Sequence, residues 1–247
     1  MPSIYIGFDP RESAEFAVAR ESVERYGLKH WPIYGLVLSR LRAAGLYTRP
    51  TEYRPGVDGP VMWDVISDAP MSTEHANSRF LVPHLERQGW ALFMDGDMLV
   101  RDNLCPLFAS LKSEYAVYCV KHDYRPTSDV KMDGQVQTRY SRKNWSSFMI
   151  FNCDHEANKK LTPEVVNMLP GRDLHRFCWL ADDEIGELDP AWNYLVGHSN
   201  PAIEPKCIHW TSGTPAMKSY ASVPFADEWR AARDTWAVGR EPAFQGW

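Results

Sequence analysis

The sequence ALFMDGDMLV (residues 91–100) runs from an apolar segment directly into two aspartates that are one residue apart. Residues 90–94 predict a buried strand, and the chain becomes apolar again after Asp97. Two carboxylates at the tip of a buried strand are penalised by desolvation and repel each other unless a cation lies between them. In α/β sheets, ligands bind beyond the carboxyl ends of the strands. Asp95 and Asp97 are therefore candidate ligands of a hard divalent ion, and a solvated Asp-Gly-Asp turn is the alternative.

The N-terminal residues predict a strand, a turn and a helix in succession. SIYIGF (residues 3–8) is typical of a buried strand, and Asp9, Pro10 and Glu12 favour the start of a helix directly after it. Gly27 is a stop signal for that helix. A strand followed by a helix at the start of the chain indicates an α/β fold.

The rest of the chain alternates between strand and helix patterns without an internal repeat or an interdomain linker. We expect a single domain over residues 1–247, with a C-terminal helix and tail over about 224–247. Two polar segments, 47–70 and 121–145, are predicted to be long loops, which in compact domains are often functional. The further predicted strands are 31–38, 115–120, 147–152 and 206–211, and the predicted helices are 73–89 with a kink at Pro83, 161–169, 174–188 with a break at the acidic residues, and 224–238.

Composition indicates an ordinary globular protein, with 44% hydrophobic and 24% charged residues. The net charge of −5 argues against a nucleic-acid-binding surface. No window approaches the roughly 20 apolar residues of a membrane span, and the first ten residues lack the pattern of a signal peptide. The five scattered cysteines are predicted to be reduced. We therefore expect a cytoplasmic protein, with a peripheral position at the inner face of a membrane left open.

Two further segments carry side chains suited to chemistry. IHWTSGTPAMKSY (208–220) places His209 at the end of an apolar strand, followed by a loop with Gly213 and then Lys218. A neutral imidazole can bind a metal, a glycine loop exposes N–H groups to a phosphate, and a lysine can neutralise one. LADDEIGEL (180–188) holds Asp182 and Asp183, which could bind sugar hydroxyls or stabilise positive charge at an anomeric carbon. The alternatives are a core histidine with a satisfied partner and a solvated acidic turn.

Over residues 3–220, the chain resembles the family-8-type retaining glycosyltransferases of the GT-A fold. Five motifs occur in that family's order. They are IYIGFDPRESAEFAVARESV (4–23), SRFLVPHLERQGWALFMDGDMLV (78–100), SSFMIFN (146–152), LADDEI (180–185) and HWTSGTPAMK (209–218). The resemblance implies an α/β GT-A-type, Rossmann-like nucleotide-diphospho-sugar transferase fold, with a mixed central sheet flanked by helices.

The resemblance also implies a function, namely a hexosyltransferase-type enzyme that moves a sugar from a UDP-sugar donor with retention. The acceptor would be a glycan, a lipid-linked molecule or a small molecule. Asp95, Asp97 and His209 would hold Mn²⁺ or Mg²⁺, and Asp182 and Asp183 would be the catalytic carboxylates. The implied donor-binding residues are Phe8, Asp9, Arg11, Arg79, Asp95, Gly96, Gly213 and Lys218.

Three other classes of protein remain as alternatives at this point. A haloacid-dehalogenase-like, Mg²⁺-dependent phosphohydrolase also places Asp-x-Asp after an apolar strand, but here Leu99 stands where that class has threonine. A nucleotidyltransferase on a related fold would need a glycine-rich loop after the first strand, and GFDPRE (7–12) does not supply one. The third alternative is a non-catalytic carbohydrate-binding relative, which only an activity measurement would distinguish.

Overall fold

A six-stranded mixed sheet forms the centre of the protein, whose computed structural model describes residues 1–56, 59–123 and 142–239. The six strands are β1 (Ser3–Gly7), β2 (Ile33–Leu36), β6 (Trp90–Met94), β8 (Val117–Cys119), β9 (Phe148–Asn152) and β10 (Ile185–Glu187). Their order in the sheet is β10-β8-β9-β6-β1-β2, and β9 runs antiparallel to both of its neighbours while the other pairs are parallel.

Two three-stranded sheets and the helices complete the described structure. One small sheet has the order β11-β12-β7, and the other has the order β3-β4-β5. Their strands are β3 (Thr51–Arg54), β4 (Val61–Asp64), β5 (Ala69–Pro70), β7 (Met98–Val100), β11 (Tyr194–Leu195) and β12 (Cys207–His209). The helices are α1 (Ser13–Tyr26), α2 (Leu38–Ala43), α3 (Val82–Glu86), α4 (Leu104–Ala109), α5 (Pro163–Met168), α6 (Gly171–His175) and α7 (Ala226–Gly239).

Apolar side chains from both faces of the central sheet form the core. Alternate residues of β6 point to opposite faces, so that Phe93 joins one cluster of buried side chains and Leu92 joins the other. Burial on both faces explains why β6 and β9 are continuous apolar runs instead of alternating patterns. Trp229 of α7 and Val18 of α1 belong to a third cluster, which packs the C-terminal helix against the first helix.

The small sheet β11-β12-β7 positions the tip of β6. The chain leaves β6 at Met94, turns through the Asp-Gly-Asp sequence and enters β7, which pairs antiparallel with β12. In this register His209 lies opposite Met98, the residue after Asp97. The pairing therefore brings the end of β12 to the carboxyl end of β6.

Several sequence-based expectations about secondary structure were wrong. Segment 47–70 is not an irregular loop throughout, because β3, β4 and β5 form a sheet within it. Segment 174–188 is not one helix. Its end is the edge strand β10, which pairs with β8 over only three residues, too few for a clear periodic pattern. In segment 73–89, helix α3 starts at Val82, so Pro83 lies in the first turn of a helix and does not kink one.

The remaining differences concern element boundaries and short helices. The strand predicted over 31–38 ends at Leu36, and α2 begins at Leu38. The six-residue helices α2 and α4 are too short to show a helical repeat of apolar residues. Within the loop predicted over 121–145, residues 124–141 lie outside the described residues. Among the helices that the structure describes, we find none with the length and apolar character needed to cross a membrane.

Candidate active site

Asp95, Asp97 and His209 form a candidate metal centre at the carboxyl end of β6. Each offers one ligand atom, and these atoms lie within 4.8 Å of one another. The two carboxylates come from the turn after β6, and the imidazole comes from the end of β12. The structure thus brings together the three residues that the sequence singled out as metal ligands.

Arg79 and His75 contact the carboxylate of Asp95. Oδ1 of Asp95 lies 2.9 Å from Nη2 of Arg79 and 3.2 Å from Nε2 of His75. Burial acts to raise the pKa of Asp95, but the charge of Arg79 and the contact with His75 outweigh it and hold the pKa well below its usual range. Both contacts use Oδ1. Asp95 is therefore a carboxylate that stays ionised in a buried setting.

Arg79 is itself held in place by the backbone and by an aromatic ring. Its Nε donates to the carbonyl of Ala76 at 2.9 Å, and its Nη1 donates to the carbonyl of Ser146 at 2.9 Å. The guanidinium lies 4.7 Å from the centroid of the Phe93 ring. These contacts hold the guanidinium so that Nη2 faces Asp95.

Asp97 and His209 face each other on the other side of the cluster. Nε2 of His209 lies 3.4 Å from Oδ1 of Asp97, and that buried oxygen has no hydrogen bond within the described part of the chain. A buried carboxylate oxygen without a hydrogen bond is costly unless a further group binds it. Two carboxylates and one imidazole, with one orphaned oxygen among them, are a donor set that suits Mn²⁺ or Mg²⁺.

Asn193 orients the imidazole of His209. Nδ1 of His209 lies 3.0 Å from Oδ1 of Asn193, and Nδ2 of Asn193 donates to Oγ of Ser147 at 2.9 Å. With Nδ1 donating to Asn193, Nε2 keeps a lone pair that points toward Asp97. Burial acts to lower the pKa of His209, and the neighbouring Asp97 raises it above its ordinary value.

We expect the substitution Asn193→Ala to weaken Mn²⁺ binding by about 10- to 100-fold, because groups that orient a metal ligand have effects of that size. Electron paramagnetic resonance of free Mn²⁺ measures the change directly. Asn200→Ala is a matched control, since Asn200 lies in an exposed turn beyond β11. Equal Mn²⁺ affinity in Asn193→Ala and wild type would contradict the role of Asn193.

Glycines allow the close approach of the elements around Asp95. A Cβ atom at Gly96 would lie 2.7 Å from the carbonyl oxygen of Gly7, and one at Gly7 would lie 2.4 Å from Cδ2 of His75. The implied donor-binding role of Gly96 stays a prediction. Its visible role is to let the Asp-Gly-Asp turn pass against β1.

We expect Gly7→Ala to push the His75 ring away from Asp95. Overpacking of this kind costs about 1–3 kcal/mol of unfolding free energy, and the displaced ring should also weaken Mn²⁺ binding. Urea denaturation and Mn²⁺ titration measure the two effects. The clash is absent once His75 is truncated, so Gly7→Ala/His75→Ala should be no less stable than His75→Ala alone. If the double variant instead loses as much unfolding free energy as the two single variants lose together, the clash lies elsewhere.

Asp9 is buried and fully engaged with neighbouring groups. Its Oδ1 accepts from the backbone N–H and Nε of Arg11, both at 2.9 Å, and its Oδ2 accepts from Nη2 of Arg11 at 2.7 Å and the N–H of Glu74 at 3.0 Å. Burial acts to raise the pKa of Asp9, but its bonds to Arg11 lower it. Asp9 therefore positions the exposed Arg11 side chain, and the direct contact of Asp9 with a base or ribose stays a prediction.

Glu12 and the His122 imidazole are ionisable groups near the cluster that sequence reasoning did not assign to the site. Burial, with added repulsion from Asp97 and Asp9, raises the pKa of Glu12 to about 8. Burial lowers the pKa of His122 to about 4, and its Nε2 has no hydrogen bond to the described residues. Both groups are thus electrically coupled to the metal centre.

The loop after β12 lies against α1. Oγ1 of Thr214 donates to Oε1 of Glu15 at 2.7 Å, and both residues are buried. The Tyr220 ring covers Gly213, where an added Cβ would lie 2.5 Å from Cδ2 of that ring. Lys218 is exposed on the turn that follows.

Phe8 packs edge-on against Phe16 at a centroid distance of 5.3 Å. The donor-binding roles of Phe8, Gly213 and Lys218 stay predictions.

Asp182 and Asp183 lie apart from the metal cluster in the sheet register. Both are exposed, and Asp182 forms an ion pair with Arg142. Strand β10 follows them, and its first residue is level with Ala91, whereas Asp95 comes after the other end of β6. The catalytic assignment of Asp182 and Asp183 stays a prediction.

Comparisons with known proteins identify the fold class of the chain. No protein-family model matches the chain. The galactosyltransferase LgtC, solved in complex with donor and acceptor sugar analogs, is 15% identical with a TM-score of 0.58, and the match covers 98% of both chains. GlyE of Streptococcus pneumoniae TIGR4, a glycosyltransferase, is 13% identical with a TM-score of 0.61 over 96% of this chain and 61% of GlyE. The bifunctional glycosyltransferase WbbM is 15% identical with a TM-score of 0.54, and the match covers 93% of this chain and about half, 51%, of WbbM.

The predicted fold, a GT-A-type glycosyltransferase fold with a mixed central sheet flanked by helices, is confirmed by these structures. A curated protein is much closer in sequence. Protein CDI of Arabidopsis thaliana is 41% identical over 232 residues, which is 92% of this chain and 83% of Protein CDI. The chain therefore belongs to the family of Protein CDI.

Proposed function

We propose that the protein is a metal-dependent glycosyltransferase that uses a nucleotide-sugar donor, with UDP as the nucleotide. The observation that carries this proposal is the Asp95–Asp97–His209 cluster at the carboxyl end of β6 in a GT-A-type fold. Ligands of open α/β sheets bind at that edge. The clustering of a histidine with the aspartates favours this function over a haloacid-dehalogenase-like phosphohydrolase, in which we would not expect a histidine ligand. We further propose that the catalytic unit extends over residues 1–247.

In this proposal Asp95, Asp97 and His209 hold Mn²⁺ or Mg²⁺. When bound, the ion supplies Lewis-acid stabilisation of the negative charge that develops on a departing nucleotide diphosphate. Arg79 and His75 keep Asp95 ionised and oriented before the donor arrives, so that little reorganisation is needed. Asn193 holds His209 with Nε2 facing the cluster. Arg11 and Lys218 are exposed cations, which we assign to the base or ribose end and to the diphosphate of the donor.

Retention at the anomeric carbon is the proposed stereochemical course. Asp182 and Asp183 are the proposed carboxylates that act on the donor sugar, and segments 47–70 and 121–145 are the proposed acceptor-binding regions. Asp182 is exposed and forms an ion pair with Arg142, so its role can be tested independently of the metal centre. Asp182→Asn and Asp183→Asn should lower the transfer rate while leaving Mn²⁺ binding unchanged. A full transfer rate in both variants would remove these residues from the proposal. We further propose a cytoplasmic location.

The test is release of UDP from UDP-sugars. The purified protein is incubated with UDP-glucose, UDP-galactose, UDP-N-acetylglucosamine and UDP-xylose, each with Mn²⁺ and with EDTA. We expect slow UDP release from at least one donor with Mn²⁺ and none with EDTA. The product anomer, read by nuclear magnetic resonance (NMR) once an acceptor is found, reports retention. If no UDP-sugar is turned over, GDP-sugars and CMP-sugars are tested in the same way, and inactivity with all of them would contradict the proposed function.

A further inference from the structure

A cavity that is not lined by the residues of the metal cluster lies between α4 and the ends of β8 and β10. Its volume is about 510 Å³, within the range of roughly 300–1,000 Å³ that is usual for small-molecule sites. Its wall includes three aromatic residues, Tyr115, Tyr118 and Trp192. None of the residues to which we assign the metal or the donor lines this cavity.

The aromatic wall of the cavity is rigid. The Tyr115 and Tyr118 rings pack edge-on with centroids 5.2 Å apart, and the Tyr118 hydroxyl accepts from the N–H of Lys112 at 2.8 Å. The Trp192 ring stacks on Phe148 with an interplanar angle of 23° and a centroid distance of 6.3 Å. Fixed rings suit a ligand with an apolar face, because such a face can pack on them without loss of side-chain entropy.

The polar groups of the cavity carry both signs of charge. Asp102, Glu187 and Asp189 supply carboxylate acceptors, and Lys112 and Lys206 supply ammonium donors. Hydroxyl groups donate and accept at the same time, so a polyhydroxylated ligand can use both kinds of partner. The cavity thus combines aromatic rings with hydrogen-bond acceptors and donors. This combination matches a sugar ring, whose C–H faces are apolar and whose rim carries hydroxyl groups.

The cation position beside Trp192 is already taken, and this argues against an amine ligand. Nζ of Lys206 lies 5.6 Å from the centroid of the Trp192 ring and 3.3 Å from Oδ2 of Asp102. An ammonium ligand would have to displace Lys206 from both partners. A neutral ligand can bind without breaking either contact.

The cavity is tied to the metal centre by shared elements. Trp192 lines the cavity, and the next residue, Asn193, holds His209. Lys206 also lines the cavity, and β12 runs from the next residue to His209, a distance of about 10 Å at about 3.3 Å per residue. The cavity is therefore separate from the metal cluster and close to it.

We propose that this cavity is a second saccharide-binding site, distinct from the donor site. The inference does not depend on the proposed transferase function, because it concerns binding in the absence of metal and nucleotide. Saturation-transfer-difference NMR on the whole chain in EDTA provides the test. The probes are the methyl β-glycosides of glucose, galactose and N-acetylglucosamine, together with maltotriose and choline.

We expect at least one of the sugars to bind. Two variants locate the binding: Ser110→Trp places a large side chain in the cavity, and Glu187→Ala removes an exposed lining carboxylate. Each should raise the dissociation constant at least tenfold. Thr235→Trp on the exposed face of α7 and Glu156→Ala on an exposed turn are the matched controls, and both should bind as wild type does.

Three results would overturn this inference. The first is that none of the four sugars binds the wild-type protein. The second is that a sugar binds but keeps its wild-type affinity in Ser110→Trp or in Glu187→Ala, which would place that sugar elsewhere, for example at the metal cluster. The third is that choline binds and none of the sugars does. Because the measurement contains neither metal nor nucleotide, its failure is distinguishable from a failure of the proposed transferase activity.

Discussion

Replacement of Asp97 by asparagine is expected to weaken Mn²⁺ binding by at least about 100-fold, since even groups that only orient a metal ligand change affinity by about 10- to 100-fold. Asp97 contributes the orphaned carboxylate oxygen of the cluster, and an amide oxygen in its place carries no charge. Metal-dependent UDP release should fall by about 10²- to 10³-fold with it. Electron paramagnetic resonance of free Mn²⁺ and the UDP-release assay measure the two effects.

The control for Asp97→Asn is Asp234→Asn, which removes an exposed carboxylate paired with Arg233 on α7. It should bind Mn²⁺ and release UDP as wild type does. Thermal unfolding followed by circular dichroism checks that both variants are folded. Wild-type Mn²⁺ affinity in a folded Asp97→Asn variant would mean that the ion binds elsewhere.

Removal of the guanidinium of Arg49 is expected to have the largest effect on stability. Arg49 is completely buried and forms an ion pair with the buried Asp64. It also donates to the carbonyls of Val166 at 2.7 Å and Leu169 at 2.6 Å, and so ties the sheet β3-β4-β5 to the end of α5. Arg49→Met leaves the carboxylate of Asp64 buried without its charged partner, which costs about 3–5 kcal/mol of unfolding free energy. Urea denaturation measures this loss.

Two further variants distinguish the effect of losing the ion pair from the effect of losing the packing of the Arg49 side chain. Arg49→Met/Asp64→Leu removes both charges and should recover much of the stability, because a buried pair can often be replaced by apolar residues. Arg54→Ala breaks exposed ion pairs with Glu52 and Asp68 and should leave the unfolding free energy close to that of wild type. An Arg49→Met variant within 1 kcal/mol of wild type would contradict the structural role of the pair.

The sequence was sufficient for the parts of the molecule that depend on continuous apolar runs and strand ends. β1, β6 and β9 are buried on both faces, and their apolar runs are unmistakable. The Asp95–Asp97 pair stood out because carboxylates do not otherwise follow such a run. His209 stood out because it ends a similar run, and the structure joins it to the pair through the register of β7 and β12.

Residues that act through tertiary contacts could not be read from the sequence. His75 lies in a turn and Asn193 ends a short 3-10 helix (Pro190–Asn193), and only the fold brings them to Asp95 and His209. The donor contacts that the resemblance implies for Arg79 and Asp9 stay predictions. The ion pair of Arg79 with Asp95, and the bonds that Asp9 accepts from Arg11 and the N–H of Glu74, were not predicted. The contacting residues are either far apart in the chain or, as with Asp9 and Arg11, are neighbours that pair with each other. The spacing of residues in the sequence therefore does not reveal these contacts.

Short elements with mixed burial explain the errors in secondary structure. β3 has exposed Glu52 and Tyr53, and its four residues lie in a segment rich in proline and glycine. β10 is a three-residue strand whose Gly186 approaches the Tyr118 ring so closely that an added Cβ would lie 2.5 Å from it. Neither strand has enough residues for its alternation to outweigh the composition around it.

The Asp95–Asp97–His209 cluster is expected to bind a nucleotide diphosphate through a divalent ion. Calorimetric titration of UDP into the wild-type protein, once with Mn²⁺ and once with EDTA, measures this binding. We expect saturable binding of one UDP per chain with Mn²⁺ and at least about 10-fold weaker binding with EDTA. Equal UDP affinity in both conditions, or no binding of UDP or GDP in either, would show that the cluster does not hold a nucleotide diphosphate through a metal ion.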